Sequence, residues 1–246
     1  MKPINASSLQ QIRARINKTI TSGIQIDMST EESKKLLRRH VNNKAHIVIM
    51  FTDIDSSTKM SFSLPDDKFA ALIQTFAQET SIAVTGYGGY VFKYEGDAVI
   101  SLFPAEYDQA MACKNALDCS KAVLEIVRGI INPVFKTNGL PEIRIRTGLA
   151  YGDALVVLYG KSLKTAHIDI IGSSISMAAK IASTAKANQI LVGELIYNTL
   201  LLSDRENSMY YKHIFREVNL NQDEWRYPSR YNNDNIYKVY EYLETY

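Results

Sequence analysis

The alternation of apolar and polar positions divides the chain into segments of two kinds. Residues 46–51, HIVIMF, form a short apolar run rich in β-branched side chains, and this pattern predicts a strand buried on both faces. Asp53 follows, then Ile54, Asp55 and three small hydroxyls, Ser56, Ser57 and Thr58, which suit the N-cap and first turn of a helix. From Asp66 to Thr85, apolar residues at Phe69, Leu72, Ile73, Phe76 and Ala77 predict a helix lying over a sheet. Strands follow at about 89–93 and 97–103, joined by a Gly96-Asp97 turn, and Ala105 to Val127 is amphipathic with the helical period. A loop carrying Pro133, Asn138-Gly139 and Pro141 leads to an alternating strand at 143–152 and another at 155–159. Asp169 to Gly172 turns into a helix from about Ser174 to Ala185, and Gln189 to Gly193 reads as a further strand. The order β-α-β-β-α-β followed by more elements predicts an α+β protein: a ferredoxin-like βαββαβ core with added strands and helices.

The flanks divide differently. Leu9, Ile12, Ile16 and Ile20 fall at helical spacing before Gly23, and Ser29 with Glu32 reads as a capping box for a second helix reaching Val41. Residues 1–45 are therefore expected to form a short helical arm, packed on the domain or on a partner subunit. Its basic end (Lys34, Lys35, Arg38, Arg39, His40) offers charge for phosphates, but such a run is more often a solvated face, and that is the expectation. The core is expected over 46–203, with 204–246 as a β-rich completion carrying strand-like runs at His213–Leu220 and Ile236–Tyr242.

Composition narrows the class. The 246 residues are 46% hydrophobic and 22% charged with a net charge of +2, values of a globular chain without bulk affinity for nucleic acid or anionic membrane. No apolar run approaches the ~20 residues a membrane helix needs, and no signal peptide is evident. Cys113 and Cys119 share one apolar helical segment and fit no metal spacing, so a reduced, cytoplasmic protein is expected.

The chemistry concentrates at strand ends. Asp53 after the first strand and Asp97 in the Gly-Asp turn are hard oxygen ligands suited to Mg²⁺ or Mn²⁺. Taken singly, Asp53 also fits a helix cap and Asp97 an ordinary turn residue. The N–H groups near Ser56, Ser57 and Thr58 suit phosphate.

Four blocks, FTDIDSST, KYEGDAVISLF, RTGLAYGDA and DIIGSSISMAAKIAS, in this order across about residues 46–195, resemble the catalytic domain of the class III nucleotidyl cyclases. The resemblance implies a homodimer with two active sites at its interface, each built from both chains. In it the 3′-hydroxyl of a nucleoside triphosphate attacks the α-phosphate and pyrophosphate leaves. Two divalent cations, Mn²⁺ or Mg²⁺, would be held by Asp53, Asp97 and the carbonyl of Ile54. Phe51 and Ser56 to Thr58 would lie against the substrate, while Lys93 and Asp169 match the family's base-specifying pair. Ser176 and Lys180 stand where the family places an Asn for the ribose and an Arg for the α-phosphate. Their i, i+4 spacing keeps both on one helix face, but an ammonium replaces a forked guanidinium. Lys212 and Arg216 are candidates for a late cation on the terminal phosphates.

A Lys–Asp pair donates once and accepts once. That matches the N1/N6 edge of adenine and the N3/N4 edge of cytosine, meets uracil in another pose, and disfavours guanine. The chain carries no recognisable sensory or membrane segment and diverges at its transition-state positions. In these respects it is similar to stand-alone pyrimidine cyclases of bacterial anti-phage systems, whose cyclic CMP or cyclic UMP acts on a cyclic-nucleotide-binding effector. A pyrimidine substrate is the expectation; an adenylate cyclase and an inert regulatory homologue are the alternatives. No acidic Gly-Gly-(Asp or Glu)-Glu-Phe turn of the diguanylate-forming relatives is present.

Overall fold

The computed structural model describes residues 6–162, 165–203, 208–221, 225–229 and 236–243. Parts of the expected C-terminal completion, 204–207, 222–224, 230–235 and 244–246, lie outside the described residues. Two helices open the chain, α1 (Ala6–Ser22) and α2 (Glu31–Arg38). The core then runs β1 (Lys44–Ile54), α3 (Ser57–Ser63), α4 (Asp66–Gly86), β2 (Tyr90–Glu95), β3 (Ala98–Pro104) and α5 (Gln109–Ile126). It continues through α6 (Asn132–Thr137), β4 (Ile145–Tyr159), β5 (His167–Ile171), α7 (Ser173–Thr184) and β6 (Gln189–Gly193). Helices α8 (Glu194–Ser203) and α9 (Ser208–Ile214) and strands β7 (Phe215–Glu217) and β8 (Val239–Tyr242) complete it.

The sheet has the order β2-β3-β1-β4-β6-β8-β7, with β5 paired to the far end of β4. Its first four strands, all antiparallel neighbours, are the ferredoxin-like β4-β1-β3-β2 arrangement. Burial explains why β1 reads as a continuous apolar run. Val48, Met50 and Ile54 pack into the core beneath α4 and α5, while Ile47 and Ile49 pack into a second core beneath α7. The completing strands β7 and β8 belong to the same sheet as β1.

Several expectations need correction. The strand-like run expected at His213–Leu220 is strand only over Phe215–Glu217, because His213 and Ile214 end α9. The segment after α5 is not a loop. Val127–Ile131 form a π-helical turn and α6 follows without a break, with Pro133 just after the π turn, a place where helices accommodate such irregularity. The buried Asn132 side chain pins that segment to Ile143 at both its carbonyl and its amide, 2.9 Å each. Residues 143–159 are not two strands, because β4 runs unbroken from Ile145 to Tyr159. The capping box also fails. Thr30 is the N-cap of α2, Ser29 Oγ accepts only from the Glu31 amide at 3.2 Å, and Glu32 turns forward to Lys35.

The arm packs on its own domain. Ile16 is fully buried, and Arg15 grips the buried Glu79 of α4 through two hydrogen bonds of 2.9 and 2.6 Å. Gln78 of α4 donates to Thr19 Oγ1 and accepts from the Gln25 amide. At the basic end of α2, Lys34 and Lys35 pair with Glu31 and Glu32, as a solvated face does.

One glycine sets the distance between α7 and the sheet. A Cβ on Gly148 of β4 would lie 2.2 Å from the Ala182 nitrogen and 2.8 Å from the Ala178 carbonyl oxygen, both backbone atoms of α7. Gly148→Ala is therefore expected to cost about 1–3 kcal/mol and to lift the helix that carries Ser176 and Lys180. Urea unfolding and turnover measured together check this; a variant as stable and as active as the parent would contradict it.

Candidate active site

The acidic half grows from the C-terminal end of β1. Gly96 adopts φ +63°, a left-handed turn conformation that glycine takes without strain. The turn brings Asp97 back onto β1, where its Oδ2 accepts from the Ile54 amide at 3.1 Å. Asp97 thus sits against the residue that follows Asp53. Asp53 itself faces Arg146 across the β1–β4 pairing, and the guanidinium grips its carboxylate through Nε (3.2 Å) and Nη2 (2.7 Å). Beside this pair, Arg144 Nη2 holds Asp55 at 3.1 Å. Burial raises the Asp53 carboxyl above its ordinary range. Arg146 opposes that shift, and the charges of Asp97 and Asp55 add to it.

Among the described residues no group of three His, Cys, Asp or Glu side chains is placed to hold a metal. The available donors are two carboxylates and the Ile54 carbonyl, an all-oxygen set that suits a hard divalent cation. The Arg146 grip uses one acceptor position on each Asp53 oxygen. A carboxylate offers about four, so the donor set still fits a cation. Ser56 follows in the left-handed region, φ +63°, as the N-cap of α3, and its hydroxyl meets Asp55 Oδ2 at 3.3 Å. Ser57 and Thr58 open the first turn of that helix, where backbone N–H groups lack intrahelical partners.

The base-reading candidates meet within one chain. The β2–β3 register shifts between Val91 and Lys93, so that Lys93 pairs with Ile100 and Tyr94 with Val99. Lys93 Nζ then reaches Asp169 Oδ2 of β5 at 2.7 Å. Burial works against the charge on Asp169. The Lys93 ammonium, the Ile170 amide at 2.8 Å and His167 outweigh burial and hold the carboxyl below its usual range. His167 Nε2 stands 3.5 Å from Asp169 Oδ2 and stacks on Tyr159 with ring centroids 6.2 Å apart. Phe51 lies in the row of Lys93, since both pair with Ile100 from opposite sides of β3.

The third group lines a cavity of about 860 Å³ between α7 and β7–β8. Lys180 and Arg216 both line it, together with Lys186, Trp225 and Tyr227. Arg216 is held there by Glu241 at 2.5 Å. Lys212 is exposed on α9 and does not line this cavity. Ser176 is exposed on α7, one turn before Lys180, and its hydroxyl donates to the Gly172 carbonyl at 3.1 Å. The cavity holding Lys180 contains none of Asp53, Asp97, Lys93 and Asp169. Sequence reading missed Arg146, His167 and Lys186. A signal existed for the first two: Arg144 and Arg146 alternate toward Asp55 and Asp53, and His167 shares a strand face with Asp169.

This topology is that of the mixed α+β catalytic domains of nucleotide cyclases. The adenylyl cyclase CyaB from P. aeruginosa superposes with a TM-score of 0.65 at 18% identity, over 83% of this chain and 96% of that one. Residues 40–221 match the adenylate and guanylate cyclase catalytic domain, and the chain belongs to that family, whose members are nucleotidyl cyclases acting as phosphorus–oxygen lyases. A cytidylate cyclase from Escherichia coli is 28% identical over 189 residues, 73% of this chain. A second, from Staphylococcus aureus, is 26% identical over 160 residues, 64% of this chain. The chain spans 40% and 38% of the length of these two relatives. A uridylate cyclase from Burkholderia cepacia is 24% identical over 197 residues, 75% of this chain and 81% of that protein.

Proposed function

We propose that the chain cyclises a pyrimidine nucleoside triphosphate, CTP or UTP, to its 3′,5′-cyclic nucleotide, in a homodimer whose interface joins the acidic half of one protomer to the cationic half of its partner. The supporting observation is the seating of Asp97 on the Ile54 amide beside Asp53, which gathers an all-oxygen donor set at one strand end. Asp53, Asp97 and the Ile54 carbonyl would hold two divalent cations, Mn²⁺ or Mg²⁺. Bound there, such ions supply shielding of triphosphate charge and acidify the 3′-hydroxyl.

The chain's own groups account for the rest. The 3′-oxygen loses its proton and bonds to the α-phosphorus; the bond to the bridging oxygen breaks and pyrophosphate departs. Arg216 and Lys180, which line one cavity from β7 and α7, would offer positive charge to the leaving pyrophosphate, and Ser176 would face the ribose. Between the two late candidates, the shared cavity favours Arg216 over Lys212. The amides at Ser57 and Thr58 receive phosphate oxygens. Lys93 and Asp169 read one acceptor and one donor on the base edge, with His167 steadying Asp169.

The choice of a pyrimidine rests on the names of the relatives, and an aromatic side chain at the base would have to fill the space of the missing second ring. Of the aromatic residues near these blocks, Tyr94 and Tyr151 pack against the core beneath α4 and α5, and the Tyr94 hydroxyl is bonded to Ser81. Phe51 packs against the core beneath α7, in the row of Lys93, and is the residue proposed to fill the space of a second ring. The same Lys–Asp pair also reads adenine, so cyclic AMP is the competing product. Purified protein with Mn²⁺ and all four ribonucleoside triphosphates is expected to convert CTP or UTP in preference to ATP, with GTP a poor substrate. Phe51→Ala should admit ATP, because a close-packed wall rejects the larger ring by about 1–3 kcal/mol. Exclusive formation of cyclic AMP would overturn the pyrimidine assignment and leave cyclisation standing. A cytoplasmic role in anti-phage signalling, through an effector that binds the cyclic nucleotide, is proposed by analogy with the pyrimidine cyclases. Among the described residues no helix is long and apolar enough to cross a membrane.

A further inference from the structure

The linker between α1 and α2 passes over α4 and the edge strand β2 and roofs a cavity of about 540 Å³, within the range of small-molecule sites. We propose that this cavity binds a small apolar amine. Its walls are mainly apolar and aromatic: Ile26 and Met28 from the linker, Ile82 from α4, and the rings of Tyr90 and Tyr94 from β2. The described residues that line it include no lysine, arginine or histidine, so a phosphate or carboxylate ligand meets no counter-charge there. Carboxylates come from the arm side. Glu32 is engaged with Lys35, whereas Asp27 lies at the exposed rim.

Asp27 acts on the Tyr94 phenol, which burial raises above its ordinary range and which the charge of Asp27 raises further. The Tyr94 hydroxyl shares a hydrogen bond of 2.9 Å with Ser81 Oγ, fixing the ring as one wall. A cavity lined by Asp27, with no cationic residue among its described lining, and by two tyrosines suits an ammonium group, which pairs with the carboxylate and is attracted to ring faces. The apolar body of the ligand would displace water from Ile26, Met28 and Ile82. The site is separate from Asp53, Asp97 and the Lys180 cavity, so its occupancy does not depend on which nucleotide is cyclised.

Tryptamine, its neutral counterpart tryptophol and the anion indoleacetate, titrated calorimetrically into the full chain, test the proposal. Tryptamine should bind at one site about tenfold more tightly than tryptophol, and indoleacetate should show no saturable binding. Asp27→Asn should reduce tryptamine to the level of tryptophol. Gly86 lines the cavity and has nothing within 4 Å of the position of its absent Cβ. Gly86→Trp should therefore fill the cavity without disturbing the fold, and abolish binding of both compounds while the melting temperature holds. Equal affinity for tryptamine and tryptophol, unchanged tryptamine binding in Gly86→Trp, or no saturable tryptamine binding to the parent chain would each overturn it.

Discussion

Alanine at Asp53 or at Asp97 is expected to abolish cyclisation. The loss should be on the order of a thousandfold or more, because several kcal/mol of charge stabilisation disappear and each ~1.4 kcal/mol is a factor of ten. The fold should survive for different reasons at the two positions. Asp53 lies at the end of β1 and half-buried, so its removal leaves Arg146 facing solvent at the sheet margin. Asp97 contributes one hydrogen bond to the Ile54 amide, a bond worth about 1 kcal/mol. Melting curves close to the parent, sedimentation as a dimer, and Mn²⁺ binding lost by electron paramagnetic resonance would together confirm the role. Near-normal turnover by either variant in saturating Mn²⁺ would show that these carboxylates do not hold the ions.

Two inactive chains should restore one another. The cavity lined by Lys180 includes neither Asp53 nor Asp97, and in the proposed dimer each site joins the acidic half of one protomer to the Lys180 cavity of its partner. An Asp53→Ala chain mixed with a Lys180→Ala chain gives heterodimers in which one interface carries both defects and the other carries none. Random exchange should return up to about a quarter of parental activity, since half of the dimers are mixed and each has one intact site. Subunit exchange followed by native mass spectrometry, with product formation measured in the same sample, checks this. Activity that stays at zero after proven exchange would place the whole site within one chain.

The parts of the fold that could be read from sequence are those whose environment imposes a period. Strand β1 is covered on both faces and so reads as a continuous apolar run, and α4 keeps its apolar residues at helical spacing because one face meets the sheet. The Gly96-Asp97 turn was legible because only a tight reversal demands that pair there. Strand β5 was hidden because its five residues look like a lead into α7. Helix α8 went unread because ELIYNTLLLS carries apolar residues on too many sides to show a stripe. Pro133 misled because a proline usually ends a helix, whereas here it follows a π-helical turn inside a continuous helical run. At the site, the carboxylates were visible by their position at strand ends. The Arg146 grip was not, because a cross-strand partner depends on register, and register is fixed by tertiary packing.

Strand β4 is paired to β1 at Gly148 and to β5 at Val157, nine residues further on. Phe51 and Lys93 stand in the row of Gly148, and Asp169 stands opposite Val157. On a flat sheet, nine residues of strand would set those rows about 30 Å apart. A lysine and an aspartate reaching for one another span roughly a third of that, yet their charged atoms are 2.7 Å apart. The sheet must therefore coil until its far hairpin faces its opposite edge, and the Lys93–Asp169 contact is the clasp that this curvature closes. The base recognition proposed for this pair is in that sense a property of shape. Anything that flattens the sheet would part the two residues without altering either of them.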